Sequence, residues 1–169
     1  MSTPRTDWTD LRRQLARGGR YALLAFLEQH TSYRSLPHQR RFHLACPSDP
    51  DAIGNKMLLG GVGAGKTWAG ASEDLMLAIA NVGCWGAILA PTRDQVWHVL
   101  MPVFRLLADE LAAAGYPLVS KWRIADKCAE LVCGGRVYFR SFDNVDAIRG
   151  FSFAWGHLDE TEMHRRPWY

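Results

Sequence analysis

The sequence has no apolar run long enough to cross a membrane, few cysteines and little net charge. No stretch of the 169 residues approaches the roughly eighteen apolar residues that a membrane-spanning helix needs. The first ten residues are polar and lack the apolar core of a signal peptide, so secretion is not expected. The four cysteines are scattered, which favours reduced thiols over a disulfide framework. We therefore expect a cytoplasmic protein that does not bind a membrane.

The small net charge of +3 is unevenly distributed. Residues 1–41 contain eight arginines against three carboxylates, a balance of +5, so that residues 42–169 balance at −2. A basic leading segment can contact phosphate backbones, although arginines on a solvated helix are the simpler interpretation. A content of 48% hydrophobic and 22% charged residues is that of an ordinary globular domain with a buried core.

The chain is organised around a glycine-rich stretch, Gly60-Gly61-Val62-Gly63-Ala64-Gly65-Lys66-Thr67, which fits the phosphate-loop pattern G-x-x-x-x-G-K-[ST] without a mismatch. A short buried strand is predicted before it at 56–59, and a helix after it at 68–80. Glycines let successive backbone N–H groups converge on a β-phosphate, and the helix N-terminus adds positive charge. Lys66 is expected to reach the β- and γ-phosphates of ATP, and Thr67 to ligate Mg²⁺.

Predicted helices and strands alternate along the chain. Two helices, at 7–16 and 20–28, precede a break at 36–42 and a polar loop at 47–55. After the phosphate loop and its helix, we expect a buried strand at 85–90 and a helix from the turn at 91–94 to about 114. The remaining predictions are strands at 122–124 and 151–158, a hairpin of 130–133 with 136–141, and a helical turn at 143–148. This order predicts an α/β fold with a largely parallel sheet.

A pair of carboxylates follows the last predicted strand. A phosphate loop needs a partner carboxylate for Mg²⁺ at the end of a nearby strand, and Asp159 is the predicted ligand. Glu160, the next residue, is predicted to orient and polarise an attacking water. An acidic turn that serves no catalytic purpose is the alternative interpretation. The two motifs together favour ATP hydrolysis.

An ordered series of motifs across residues 36–162 resembles the ATPase domain of phage large terminases. The segment 36–42 is similar to the family's adenine-contacting segment, in which Gln39 would read the base. Residues 60–67 match the phosphate loop, 88–95 resemble the strand and turn that follow it, and 137–144 with 147–150 resemble the stretch before Asp159 and Glu160. The resemblance implies a P-loop NTPase of the additional-strand, catalytic-glutamate type, with a mostly parallel central sheet flanked by helices. It implies a helical lead segment at 1–45 and the ATPase core at 46–169.

The family resemblance also implies a function. The implied protein is a motor that uses ATP and Mg²⁺ to translocate double-stranded DNA in the cytoplasm of a bacterial host. It would bind the DNA without sequence specificity. The implied partners are a small terminase subunit, a portal protein and further copies of the chain in a homo-oligomeric ring. A helicase-type ATPase fragment and a nucleotide-binding assembly module without turnover are the other candidates.

The sequence departs from the family pattern in two places. Many members have an arginine inside the phosphate loop where this chain has Val62. The sequence also ends nine residues after Glu160, so we expect it to contain neither the family's coupling motif nor its nuclease domain. Arg149 lies in a segment that resembles the family stretch carrying such an arginine, and it is expected to act in catalysis at a neighbouring subunit's site. An ion pair of Arg149 with Asp143 or Asp146 is the alternative.

Overall fold

The computed structural model describes residues 8–45, 54–143 and 149–160. The helices are α1 (Trp8–Arg17), α2 (Gly19–His30), α3 (Pro37–Leu44), α4 (Lys66–Ala80), the short α5 (Arg93–Gln95) and α6 (Met101–Ala113). The strands are β1 (Trp85–Ala90), β2 (Val119–Arg123), β3 (Cys128–Leu131), β4 (Arg136–Ser141) and β5 (Trp155–Leu158). Among these residues, no helix combines the length and the apolar character needed to cross a membrane.

The strands form one sheet in the order β2-β3-β4-β1-β5. Both neighbours of β1 run parallel to it, whereas β2 with β3 and β3 with β4 pair in antiparallel fashion. The prediction of a largely parallel sheet is therefore wrong, since the sheet is mixed. The predicted hairpin causes the difference, because the tight turn at Gly134-Gly135 can join only antiparallel strands.

The two faces of the sheet are covered differently. Ile88 on β1 and Phe139 on β4 join one hydrophobic cluster with residues of α2, α4 and α6, including Leu24, Leu75 and Phe104. The opposite face has a smaller cluster of Ala87, Leu89 and Phe142, with Phe153 packed against it. The alternation of side chains along β1 separates the two clusters. Because Leu15, Leu23 and Leu24 belong to the larger cluster, the lead helices share the core of the sheet, and the division at residue 45 stays a prediction.

Most of the predicted helices are confirmed, with two differences in detail. The helix after β1 contains a five-residue π-helical turn, Val96–Leu100, in which the N–H of Met101 donates to Val96 O. The wide turn ends two residues before Pro102, whose nitrogen has no hydrogen to continue an α-helical ladder. The segment predicted only as a break at 36–42 is itself helical, since Pro37 occupies the first position of α3. The predicted polar loop and the helical turn at 143–148 lie largely outside the described residues.

The strand predicted at 56–59 is wrong. These residues lie in irregular structure, and the side chains of Met57 and Leu59 are 77% and 78% exposed. Lys56 fixes the course of the segment, because its ammonium lies 2.7 Å from Glu73 Oε1 and donates to Phe42 O and His43 O. These contacts hold the chain against α3 and α4 instead of placing it in the sheet. The last predicted strand is also shorter than expected, because β5 begins at Trp155.

Candidate functional site

The glycine-rich loop leads directly into α4. Gly63 and Gly65 have φ values of +79° and +74°, a left-handed conformation that only glycine adopts readily. Gly65 caps the helix and accepts from the N–H of Ala69, so the N–H groups of the first helical turn before Ala69 have no partner within the helix. The ammonium of Lys66 donates to the carbonyls of Gly60 and Gly61 at 2.9 and 3.1 Å. The loop therefore presents unpaired N–H groups and one cation at the same helix terminus.

Gln39 holds the loop from the side. Its amide nitrogen donates to Gly65 O at 3.1 Å and to Ala64 O at 3.3 Å, and its carbonyl oxygen accepts from the N–H of Leu36 at 2.8 Å. A Cβ atom on Gly65 would lie 2.5 Å from the amide nitrogen of Gln39, so the approach requires glycine on steric grounds as well. Gln39 is buried, with 3% of its surface exposed. Its role as the adenine reader stays a prediction, while its contact with the loop is a feature of the fold.

A buried polar network supports α3 behind Gln39. The hydroxyl of Tyr33 lies 3.3 Å from Gln39 Oε1 and 2.8 Å from His43 Nε2. His43 Nδ1 donates to Glu73 Oε2 at 2.8 Å, and Glu73 Oε1 also receives Arg20 and Lys56. Burial alone would raise the pKa of Glu73, but hydrogen bonds from His43 and Lys56 and the charges of Arg20 and Lys56 hold it below the ordinary value. The carboxylate is thus ionised and satisfied inside the protein.

A second buried pair joins α4 to β5. Asp74 Oδ2 accepts from His157 Nδ1 at 2.8 Å, and Asp74 Oδ1 has no partner within the described residues. Burial raises the pKa of Asp74, against the lowering effect of the His157 charge and hydrogen bond. The pKa of His157 is raised as well, because Asp74 outweighs the effect of burial on the imidazole. A Cβ on Gly70 would lie 2.4 Å from His157 Cε1, which explains a glycine in the middle of a helix.

The predicted carboxylates follow β5 at the same end as the turn after β1. The N–H of Asp159 donates to Leu89 O at 2.8 Å. Glu160 has a φ of +48°, and its Oε2 accepts from the amide of Gln95 at 2.5 Å. The other end of the Gln95 amide accepts from the N–H and hydroxyl of Thr92, at 3.1 and 3.0 Å. Glu160 is therefore held in one position by a side chain that is itself fixed by a helix cap.

Arg149 lies in the turn before β5. Its side chain is exposed, and it stands beside Gly150, whose φ is +86°. Of the two carboxylates considered as its partners, Asp143 accepts from the hydroxyl of Ser141, and Asp146 lies outside the described residues. The catalytic part expected of Arg149 remains a prediction.

The sequence did not reveal several residues of this region. Among the predicted residues, Gln39 contacts the loop and Glu160 contacts Gln95. Val62 is fully exposed at the loop tip. The missed participants are Tyr33, His43, Glu73, Asp74, Gln95 and His157. Only Gln95 had a local signal, because Thr92-x-x-Gln95 is the spacing of a capping box. The others contact partners that are distant in the chain.

Comparison with known proteins identifies a similar fold. No family model matches the chain, and no curated protein matches it in sequence. A solved structure that does match is the large terminase ATPase domain of Thermus phage P74-26, with a TM-score of 0.57 and 18% identity. The alignment covers 77% of this chain but 55% of that chain, so this protein spans about half of its length. At this identity the likeness shows the fold alone. It is an α/β fold in which helices flank a five-stranded sheet, similar to that of a terminase ATPase domain.

Proposed function

We propose that this protein is an ATP-binding and ATP-hydrolysing motor domain of the terminase type with a P-loop NTPase fold. The observation that carries the proposal is the glycine-rich loop at 60–67, which opens α4 with two left-handed glycines and an adjacent lysine. The similarity of the fold to a terminase ATPase domain supports the proposal. In this function the motor moves double-stranded DNA as ATP is hydrolysed.

The residues of the site fit ATP and Mg²⁺. A Cβ on Gly61 or Gly63 would meet no atom within 4 Å, so the loop leaves open space beside its backbone. The helix N-terminus, the ammonium of Lys66 and the hydroxyl of Thr67 are the donor set that phosphate and Mg²⁺ require. When bound, Mg²⁺ supplies positive charge that offsets the charge of the phosphates. Thr67 and Asp159 would hold it.

Each side chain of the proposed site has a separate task. Lys66 leaves the carbonyls of Gly60 and Gly61 and donates to the phosphates instead. Gln39 keeps the loop in its shape through Ala64 and Gly65, with the adenine bound beside it. Glu160, positioned by Gln95, orients a water molecule and accepts its proton.

The proposed motor works as a homo-oligomeric ring in the cytoplasm of a bacterial host, with a small terminase subunit and a portal protein as partners. Phosphoryl transfer builds negative charge on the equatorial oxygens, and an arginine there is worth about 10³–10⁵ in rate. Val62 leaves the loop without such an arginine. The exposed Arg149 supplies the charge from a neighbouring subunit in this proposal.

Nucleotide binding is the first test of the proposal. Lys66→Ala removes the side-chain cation of the loop and should weaken Mg-ATP binding at least about tenfold, the scale of a charge-assisted contact worth about 1.5–3 kcal/mol. Lys121→Ala, which removes an exposed lysine from β2, is the matched control and should bind as the wild type does. Equal affinities for the wild type and Lys66→Ala in calorimetric titration would refute a phosphate-binding loop.

Turnover is tested separately from binding. Glu160→Gln keeps the shape of the side chain but cannot accept a proton, so it should bind Mg-ATP normally and lose most ATP hydrolysis. Wild-type protein that binds ATP tightly yet releases no phosphate, with or without duplex DNA, would instead support an assembly module. Equal steady-state rates for Glu160→Gln and wild type would make Glu160 a turn residue.

The action of Arg149 between subunits is tested by mixing. Arg149→Ala and Glu160→Gln chains, each inactive alone, should regain activity when combined, because one mixed interface then contains both intact groups. Native mass spectrometry confirms that mixed assemblies form. Absence of recovery at every mixing ratio would exclude action in trans.

A further inference from the structure

A basic cavity lies where β1 and β4 end, beside the turn between β2 and β3. It has a volume of about 240 Å³, and its lining includes Arg93, Lys127, Arg140, Trp97 and Ser141. The described residues that line it include three cations and no carboxylate. It is distinct in residue composition from the candidate nucleotide site, which is built from the loop at 60–67 and the carboxylates after β5.

Arg140 is fixed in this cavity without being neutralised. Its guanidinium donates to the carbonyls of Asp126, Lys127 and Phe139 at 2.8, 3.1 and 3.1 Å. It also lies 5.2 Å from the ring centre of Tyr138. Carbonyl dipoles orient a guanidinium but leave its full positive charge, and no ion pair within the described part of the chain involves Arg140. A positioned arginine with uncompensated charge is preorganised for an anion.

The backbone of Lys127 is shaped to complete the same cavity. Its φ is +51°, a left-handed conformation that is strained for a residue with a side chain. The N–H of Lys127 donates to Ile124 O, and its carbonyl accepts from Arg140 and from the N–H of Phe139. These contacts keep Lys127 next to Arg140, and Arg93 lines the same cavity. Neither Arg93 nor Lys127 has an ion pair among residues 8–45, 54–143 and 149–160.

The size of the cavity limits its ligand. Small-molecule sites usually enclose about 300–1,000 Å³, so 240 Å³ is too little for a whole nucleotide. Three cations suit one phosphate group whose chain continues outside the cavity, while the Ser141 hydroxyl donates to Asp143. Single-stranded nucleic acids need exposed rings on which bases stack, whereas Trp97 is half-buried and Phe139 is buried. The chemistry therefore matches a backbone phosphate of a duplex.

We propose that the basic cavity of Arg93, Lys127 and Arg140 binds a backbone phosphate of double-stranded DNA. The inference rests on the proposed function for the presence of duplex DNA as a partner, but it assigns the contact to residues outside the nucleotide site. Within the basic lead segment, Arg20 and Arg40 are committed to ion pairs with Glu73 and Glu28. The cavity residues have no such internal partner in the described structure.

Salt-dependent binding of duplex DNA tests the inference. The full chain is titrated against a labelled 30-base-pair duplex of random sequence, read by fluorescence anisotropy at several salt concentrations. Arg93→Ala and Lys127→Ala should each weaken binding about fivefold at low salt and reduce the slope of log K against log[salt] by about one phosphate contact. Lys121→Ala removes the same charge from an exposed site outside the cavity and should leave both quantities unchanged. Thermal unfolding of each variant shows that the fold is intact.

Four outcomes would overturn the inference. The first is that the wild-type protein fails to bind the duplex at the lowest salt concentration, and the second is that Arg93→Ala and Lys127→Ala keep the wild-type salt slope. The third is that a single strand of equal length binds more tightly than the duplex, and the fourth is that millimolar inorganic phosphate displaces the duplex. Either of the last two would assign the cavity to another ligand. Mg-ATP titration of Lys127→Ala separates this inference from the proposed function. If Lys127→Ala loses duplex binding but binds ATP as the wild type does, the result supports the cavity as a DNA-binding site. If neither the wild type nor any variant binds ATP, the result refutes the proposed ATPase function and leaves the DNA-binding inference standing.

Discussion

Two neighbouring carboxylates on α4 have opposite surroundings. Glu73 and Asp74 are both buried, with 6% and 1% of their surface exposed. Glu73 faces α2 and α3 and receives three partners, Arg20, His43 and Lys56. Asp74 faces β5, receives only His157, and has one oxygen without a partner in the described structure. Successive residues on a helix point in directions about 100° apart, so one step along the chain changes the neighbourhood completely.

The difference shows that burial alone does not set the charge state of a carboxylate. Burial opposes ionisation of both groups, but hydrogen bonds and positive charges lower the pKa of Glu73, whereas burial keeps the pKa of Asp74 above its ordinary value. Glu73 therefore joins α2, α3 and the segment at Lys56 to α4. Asp74 has fewer hydrogen bonds and lies beside β5, the strand that precedes Asp159. Incompletely satisfied polar groups in a native structure often belong to functional regions.

The largest effect is expected from Glu73→Gln. The amide keeps the volume of the side chain but leaves the half-buried cations of Arg20 and Lys56 without a carboxylate. Removal of one partner from such a buried group costs about 3–5 kcal/mol of unfolding free energy. Urea denaturation measures it, with Asp109→Asn as the control, because Asp109 is 64% exposed in a 3.7 Å pair with Arg105. A cost for Glu73→Gln no larger than that of the control would contradict the three-partner description.

Asp74→Asn is the matched change on the other side of the helix and should cost less. The amide oxygen can still accept from His157, and the substitution relieves the burial of a poorly satisfied charge. The expected cost is below about 2 kcal/mol, the difference between a charged and a neutral hydrogen bond. The same denaturation experiment checks it. A loss equal to that of Glu73→Gln would remove the distinction between the two carboxylates.

The sequence predicts part of this site and misses the rest for a physical reason. The phosphate-loop pattern locates the residues that begin α4, because turn chemistry and helix periodicity are local. The partners of Glu73 are 53, 30 and 17 positions away along the chain, so no spacing rule connects them. The prediction of Lys56 as part of a strand failed for the same reason. Its position is decided by contacts with Phe42, His43 and Glu73, which the sequence does not display.

In the fold as well, the features set by local sequence signals were predictable, and those set by contacts between distant residues were not. The hairpin of β3 and β4 and the run of α4 were predictable, since Gly134-Gly135 and an uninterrupted apolar periodicity are local signals. The mixed sheet and the shortened β5 depend on which strands become neighbours. Gln95 combines a local contact with a distant one. Its capping box with Thr92 is visible in the sequence, but its contact with Glu160 joins residues 65 positions apart.

Acid should change the contributions of the two carboxylates in opposite directions. The folded pKa of Glu73 is lowered, so its stabilisation is present above its unfolded value near 4.5 and is lost as the pH falls toward the folded pKa. The folded pKa of Asp74 is raised, so protonation of the folded state adds stability as the pH falls toward its unfolded value near 3.8. The effect is smaller than substitution, because a protonated carboxyl keeps its volume and oxygens.

Unfolding free energies of the wild type and the two amide variants, measured between pH 7 and pH 4, check these signs. The stability difference between the wild type and Glu73→Gln should shrink toward pH 4. The unfolding free energy of Asp74→Asn should fall relative to that of the wild type as the pH is lowered over the same interval, because only the wild type can bind a proton at residue 74. Parallel curves for the two variants would contradict opposite pKa directions.

The smallest effect is expected from Lys56→Met. Glu73 keeps Arg20 and His43 as partners, and the 18% exposure of Lys56 lets water compensate part of the charge, so the cost should be about 1 kcal/mol or less. A double-mutant cycle with Glu73→Gln tests whether the two side chains act together, because Lys56→Met should cost less when the carboxylate is already gone. Lys121→Met, at an exposed position on β2, should cost the same in both backgrounds. If Lys56→Met alone cost as much as Glu73→Gln, the lysine by itself would hold the segment before the loop, and the three partners would not share the task.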